Sequence, residues 1–556
     1  MKRVCFSVIL ISLVALISCT KNFSDINTNK IGAPYSPSGS GMADASSYLP
    51  QIMQYIYPSN GAASAASWVY QVQQNFNSDI FCGWWMQPAG FGHGSTVETN
   101  YYLVQSWDDY LYDSWANIVN PFMVIQNSAW AYPNATNQAV AGMAFAAKVM
   151  ISVRVADAEG TLPYTSAGAA QASYDSLGKI YNTFFSELDS SVYYLSQSSA
   201  SISSIPTSSD DYFYNGAIAP WIALANSLRL ELAMRIVKVN PALAQQQAEK
   251  AMATGNLITN NSQNAAYIAP FEGGMTTLNY TWGVGNTTPG ADVYSYLVGY
   301  KDPRLPVFLS PTNASNTPSR IPIGGYVTQR LGTTQVPGDS TLTATMFSMP
   351  GTGVPQSGQL CSNNPSSSTF FNAAETDFLL AEAALRGWNM GSYSQGAEQY
   401  YDLGVTASMQ QWGVNIGNYL NTSATPANYT DPTMAVRDRP AVSTCSPKWS
   451  DAATNEGHLE QIITQKWIAL WPVNSSVAWS EYRRTGYPKL FPAYLSAVPP
   501  TITWGGMTVN NARKLMLPNN EYLTNTGNVY NAISQYLGGT DAITTHVWWD
   551  VDAPNF

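Results

Sequence analysis

The chain has 556 residues and a formal charge of −10, with only 11% charged residues against roughly 25% in typical soluble proteins. Its negative balance argues against nucleic acid as a partner, because nothing offsets phosphate charge. Hydrophobic residues make up 45%, enough for a large core, and 17 Trp, 34 Tyr and 18 Phe leave rings over for a surface that stacks against ligands.

At the start, Lys2 and Arg3 precede an apolar run, 4–17, that is short for a bilayer span and reads as a secretory signal. It closes on Leu16-Ile17-Ser18-Cys19, which resembles the lipobox at which bacterial lipoproteins are cut and acylated. Cys19 then becomes the lipidated N-terminus. Each buried CH₂ of its acyl chains contributes about 0.8 kcal/mol, so anchoring needs no transmembrane helix. Thr20 follows, in place of the aspartate that retains lipoproteins at the inner membrane. No later segment is expected to rival this one as a span. The expected organisation is a signal peptide over 1–18, a polar lipidated tether over 19–40 and one domain over 41–556. Loss of the signal takes the charge to about −12. Of five cysteines, Cys82, Cys361 and Cys445 remain, widely spaced and without a zinc-type pair. One disulfide plus a free thiol suits an oxidising compartment, and the pairing stays open.

Helical spacing predicts elements at 44–57, 106–127, 137–157 and 176–196. A hairpin follows over 220–255, with Trp221, Ala225, Leu228, Leu232, Ile236 and Val239 on one stripe and Asn240-Pro241 stopping one helix and starting the next. A second hairpin pairs 375–386 with 395–412, where Gly404 and Ala407 let helix backbones approach; a third pairs 459–470 with 477–484. The fold class is mostly α, with stacked tetratricopeptide-like helix pairs and long irregular loop insertions, notably 260–316 and 332–368. Trp221, Leu228, Leu379, Trp467 and Trp479 read as core. Arg229, Arg235, Arg304, Arg483 and Arg484 read as helix-capping or ion-pairing groups, with Glu231, Glu382 and Glu481 as partners.

For ligand contact, one region stands out, from Cys82-Gly83-Trp84-Trp85-Met86-Gln87-Pro88 to Asn100-Tyr101-Tyr102. Adjacent tryptophans flanked by Gly and Pro suggest a loop with a ring against solvent. A flat ring stacks on the C–H face of a pyranose while amides and carboxylates reach its hydroxyls. Trp84, Trp85, Phe91 and Tyr101 supply rings; Asp79, Gln87 and Asn100 supply polar atoms. The second candidate region is Asn279-Tyr280-Thr281-Trp282, with Tyr280 and Trp282 as its rings.

Several stretches, in order along the chain, resemble the SusD/RagB family of outer-membrane nutrient-binding lipoproteins, in its second SusD-like branch. They are Phe23-Ser24-Asp25-Ile26-Asn27-Thr28-Asn29, Ala156-Asp157-Ala158-Glu159-Gly160-Thr161-Leu162-Pro163-Tyr164, Ala225-Asn226-Ser227-Leu228-Arg229-Leu230 with Ala233-Met234-Arg235, and Lys301-Asp302-Pro303-Arg304-Leu305. Leu379-Leu380-Ala381-Glu382-Ala383-Ala384-Leu385-Arg386-Gly387-Trp388, Gln461 to Lys466 with Trp467, and Ala478-Trp479-Ser480-Glu481-Tyr482-Arg483-Arg484-Thr485-Gly486-Tyr487-Pro488 complete the set. Arg513-Lys514-Leu515-Met516-Leu517-Pro518 departs from a pattern that more often has two arginines and a tyrosine before proline. The resemblance implies a helical scaffold with a ligand surface on long loops. It also implies a lipid-anchored protein at the outer-membrane surface that passes an oligosaccharide or polysaccharide to a TonB-dependent, SusC-like transporter. Peptide or glycoprotein fragments are the alternative cargo.

A secreted glycoside hydrolase is the less favoured reading. Asp108-Asp109 and Asp210-Asp211 are adjacent pairs that point apart in regular structure, and do not set an acid against a nucleophile across a sugar. His93, His458 and His546 are the only histidines, none at metal-ligand spacing. No catalytic residue and no cofactor are expected. Asp550 and Asp552 offer oxygen ligands for a structural calcium ion, without an EF-hand pattern.

Overall fold

The computed structural model describes residues 42–56, 69, 71–86, 105–268, 288–312, 318–333, 346–353, 368–494 and 512–556. The helices of nine residues or more are α1 (Gln105–Ala116), α2 (Val119–Ala131), α3 (Ala135–Glu159), α4 (Leu177–Ser199), α5 (Ile218–Arg235), α6 (Pro241–Ala253), α7 (Ala291–Gly299), α8 (Ala373–Leu385), α9 (Ala397–Gln411), α10 (Asn455–Ala469), α11 (Ser475–Thr485) and α12 (Thr526–Tyr536). Sheet among the described residues is limited to two-stranded antiparallel ribbons. These pair β1 (Trp85–Met86) with β5 (Thr288–Pro289), β2 (Thr161–Leu162) with β3 (Asp175–Ser176), β4 (Ala265–Ala266) with β8 (Thr369–Phe371), and β6 (Leu309–Ser310) with β7 (Met349–Pro350).

All three expected hairpins form. In the first, the Asn240 side chain accepts a hydrogen bond from the Leu243 amide at 3.3 Å, and Pro241 opens α6, where its missing N–H is no loss. In the second, α8 and α9 approach so closely that a Cβ on Gly404 would lie 2.7 Å from the Phe378 ring. α10 and α11 make the third. Two predicted helices, 137–157 and 176–196, also join as a pair. Asp157 meets Tyr181 at 2.8 Å, Lys148 meets Glu187 at 2.6 Å and the Gly142 carbonyl meets Ser191 at 2.6 Å, so α3 and α4 run antiparallel. The stretch 106–127 divides into α1 and α2. Pro121 has no N–H to return to the carbonyl of residue 117, so the helix restarts there.

The expectation that nothing rivals the N-terminal segment as a span needs correction. α3 is long and apolar enough to cross a membrane by length and composition, but 94% of its most apolar stretch is buried inside the fold. It is the central core helix, surrounded by α2, α4 and α5. Trp221, Leu228, Leu379, Trp467 and Trp479 are all buried, as their stripes predict.

A buried ion network ties the helices across that core. Arg235 on α5 reaches Asp157 on α3 at 2.6 Å, Glu231 at 3.1 Å and Glu481 on α11 at 3.4 Å. Arg484 on α11 grips Glu382 on α8 through both carboxylate oxygens at 2.7 Å and also reaches Glu481 at 2.5 Å. Lys466 on α10 sits 3.3 Å from Glu375. Burial pushes the Glu382 and Glu481 carboxyls up, but the charge of Arg484 outweighs it and holds both below the usual range. The arginine and glutamate motifs are therefore scaffold, since buried charges persist only when paired.

Candidate ligand-binding site

The first candidate region begins in a packed wall. Asp79 is fully buried, and its carboxylate accepts hydrogen bonds from Gln74 at 3.3 Å and from Asn75. Burial pushes its pKa up to about 6, against the lowering effect of bonds from Ser475, Asn75 and Gln74. Trp84 is 0% and Trp85 1% exposed. Trp84 packs against Trp467 at 6.1 Å between ring centroids, Trp85 against Trp471 at 5.6 Å, and the Trp467 indole donates to the Cys82 carbonyl at 2.8 Å. Asp79, Trp84 and Trp85 are thus part of the packed core next to the point where residues 87–104 begin. Adjacent tryptophans escape the one-stripe limit because Trp84 precedes the strand that Trp85 opens, and each ring finds its own partner in the core, Trp467 for one and Trp471 for the other.

Gln87, Phe91, Asn100, Tyr101, Tyr280 and Trp282 lie outside the described residues, as do Cys19, Cys361 and the tether. Their flanks are described. β1 ends at Met86, where residues 87–104 begin, and β5 starts at Thr288, where 269–287 end. Met86 faces Thr288 and Trp85 faces Pro289 across the ribbon. The two candidate regions are therefore rooted side by side.

Two further segments share that root. The Gln329 amide donates to the Pro289 carbonyl at 3.0 Å and the Ala291 amide to the Gln329 carbonyl at 2.7 Å, and Thr288 Oγ1 meets Gln329 Oε1 at 2.9 Å. Four residues on, the chain leaves toward 334–345. The Tyr494 amide donates to the Leu331 carbonyl at 2.7 Å, just before 495–511. Arg330 fixes this strip by donating to the Pro492 carbonyl at 2.8 and 2.9 Å. Beneath it, Asp292 at the start of α7 accepts from the Phe491 amide at 2.7 Å, and burial pushes its pKa up to about 7. Sequence alone singled out two of these four segments for ligand contact, and 334–345 falls inside the long loop 332–368 that it marked. It gave no sign of 495–511, nor that the four share a root, because that root is made by backbone bonds between distant residues.

The other expectations resolve as follows. Cys82 and Cys445 are free thiols, so they are not joined to each other. Burial pushes both thiols up, Cys445 to about 12. Among the described residues, no group of three or more His, Cys, Asp or Glu is gathered to hold a metal. Asp550 is engaged by Arg513 and by His546, each at 3.2 Å, rather than offered to calcium. Asp211 caps the loop before α5, accepting from the Phe213 and Gly216 amides and the Trp221 indole at 2.8 to 2.9 Å. Asp109 accepts from the Asn519 amide at 2.5 Å. Both are committed to packing.

The profile of the family described as "SusD-like: Susd and RagB outer membrane lipoprotein" matches residues 25–550. The chain belongs to the SusD-like family. A chitin-binding SusD homolog from Flavobacterium johnsoniae is 33% identical, with a TM-score of 0.77 over 92% of this chain and 100% of that one. A SusD homolog from Bacteroides vulgatus is 29% identical, with a TM-score of 0.79 over 92% and 98%. A SusD-like protein from Bacteroides thetaiotaomicron is 26% identical, with a TM-score of 0.74 over 91% and 98%. No curated protein sequence matches the chain. Arg235, Glu382, Glu481 and Arg484, which stand in the stretches that resemble this family, belong to the buried network.

Proposed function

We propose that this SusD-like chain is a non-catalytic capture protein. It is lipidated at Cys19, held at the outer-membrane surface, and binds oligosaccharide or polysaccharide for transfer to a TonB-dependent, SusC-like transporter. The observation that carries the reading is the common root of four segments at β1, β5, Gln329 and Tyr494, where the described flanks of the ring-bearing and amide-bearing stretches 87–104 and 269–287 pair side by side. On this reading Phe91, Tyr101, Tyr280 and Trp282 supply stacking rings, and Gln87 and Asn100 supply hydrogen bonds to hydroxyls. The chitin-binding relative favours glycan over peptide, and chitin fragments over other sugars as the first ligand to try.

Affinity electrophoresis against a polysaccharide panel, with calorimetry on chitin oligosaccharides and on peptides, tests this. A Phe91→Ala, Tyr101→Ala double variant serves as the site control. Retardation by a glycan, lost in that variant at unchanged melting temperature, supports both class and site. Heat from peptides with silence across the glycans moves the cargo to peptide, and glycan binding indifferent to the variant rejects the site.

A further inference from the structure

The last residues of the sequence fold back over the scaffold far along the chain from the candidate site. Asn555 donates to Glu456 at 2.8 Å and to the Thr485 carbonyl at 3.1 Å. Arg386 donates to the Asn555 carbonyl at 2.9 Å, and its guanidinium lies over the Phe556 ring, 4.7 Å from the centroid. Among the described residues, this strap, the end of α11 and the start of α10 enclose a cavity of about 950 Å³. A second cavity of about 420 Å³ lies along the same strap and shares Lys238, Asn555 and Phe556 with the first. The larger falls within the size range of small-molecule sites.

We propose that this cavity binds a small, uncharged, hydroxyl-rich molecule of the monosaccharide or disaccharide class. The wall carries both signs of charge, Lys238, Arg483, Arg484 and Arg513 against Glu456, Asp550 and Asp552, with Arg484 and Asp550 already in ion pairs, so a charged ligand of either sign has groups of its own sign on the same wall. An alcohol meets none, and it donates to the carboxylates as readily as it accepts from the cations. Two residues of this wall, Arg483 and Asn555, each hold a buried polar atom, Nε and Oδ1, that has no hydrogen-bond partner among the described residues. Phe556 is 48% exposed and lines both cavities, which gives the C–H face of a sugar ring an apolar surface. The ligand class comes from this wall alone, and the site stands apart from the loops rooted at β1 and β5.

Hydrogen–deuterium exchange on the full chain in detergent tests the proposal, with glucose, N-acetylglucosamine and maltose as probes. Galacturonate, glucosamine and inorganic phosphate are the charged controls. At least one neutral sugar is expected to slow amide exchange over 483–487 and 551–556, with the controls without effect. A Lys238→Met, Asp552→Ala double variant is expected to abolish the protection; if it does not fold, Phe556→Ala at its exposed ring is expected to weaken it several-fold. No protection by any neutral sugar, or equal protection by a charged control, overturns the proposal. The Phe91→Ala, Tyr101→Ala variant should keep this protection even where it loses polysaccharide binding. Loss in that variant would mean that the loops alone bind sugar, and would overturn the strap site.

Discussion

The Gly290 amide donates to the Trp84 carbonyl at 2.7 Å, so close that a Cβ on Gly290 would lie 2.2 Å from the Gly83 carbonyl oxygen. Gly83 itself sits at a φ of +81°, over the Asp292 carboxylate. This contact fixes the spacing of β1 and β5 and hence the base of both candidate ligand segments. Gly290→Ala forces two backbones apart. Its expected cost is at least the ~1–3 kcal/mol of an overpacked core, seen as a lower melting temperature together with weaker glycan binding.

Trp84→Ala removes a ring buried against Trp467. A loss of about 3–5 kcal/mol is expected from the lost burial and the cavity left behind. Denaturant melts should therefore separate it from Phe91→Ala, for which unchanged stability with reduced binding is expected. Equal destabilisation by the two would contradict the division between support and contact.

Stability should fall as pH rises through neutrality. Asp292 titrates at about 7 in the fold against 3.8 as a free carboxyl, chiefly because of burial. Its pKa is raised on folding, so its contribution is fully present below about pH 4 and is lost as pH climbs through 7. Asp79, at about 6, and Asp377, at about 8, act in the same direction. Asp292→Asn keeps an acceptor for the Phe491 amide and removes the buried charge. Thermal melts should show a gain at pH 8, up to about 4 kcal/mol, that vanishes near pH 4. A gain of the same size at both pH values would rule out titration as its source.

Glu382→Gln strips one carboxylate from Arg484, which is fully buried. Leaving a buried cation short of its partner is expected to cost about 3–5 kcal/mol. Lys179→Ala breaks a pair with Asp175 in which the lysine is 57% exposed, and the expected cost is below about 1 kcal/mol. Chemical denaturation of the two variants side by side checks the contrast.

Helix identity was legible because it is local. The 3.6-residue stripe of Trp221, Leu228 and Leu232 places α5, and Asn240-Pro241 ends one helix and caps the next whatever surrounds them. Of the arginines read as ion-pairing groups, Arg235 and Arg484 pair with the expected glutamates and Arg229 and Arg304 with Asp189 and Asp302 instead, while Arg483 donates to the Asp157 and Arg513 carbonyls. The same stripes did not tell that 137–157 and 176–196 would pair, or that Trp84 and Trp85 would be covered on both sides.

By itself the sequence determined the helical class, the three hairpins, the scaffold role of the buried charges and the family, because each rests on spacing within a short stretch. The tertiary structure alone decided that Trp84 and Trp85 are covered and which strands and loop flanks share a base. Thr288 Oγ1 lies 3.3 Å from the Met86 carbonyl across 202 residues of sequence. Backbone amides and carbonyls are the same at every residue, so nothing local in either strand specifies that pairing. It forms because glycine at 290, having no Cβ, permits the approach, and because Trp467 and Trp471 are placed to bury Trp84 and Trp85.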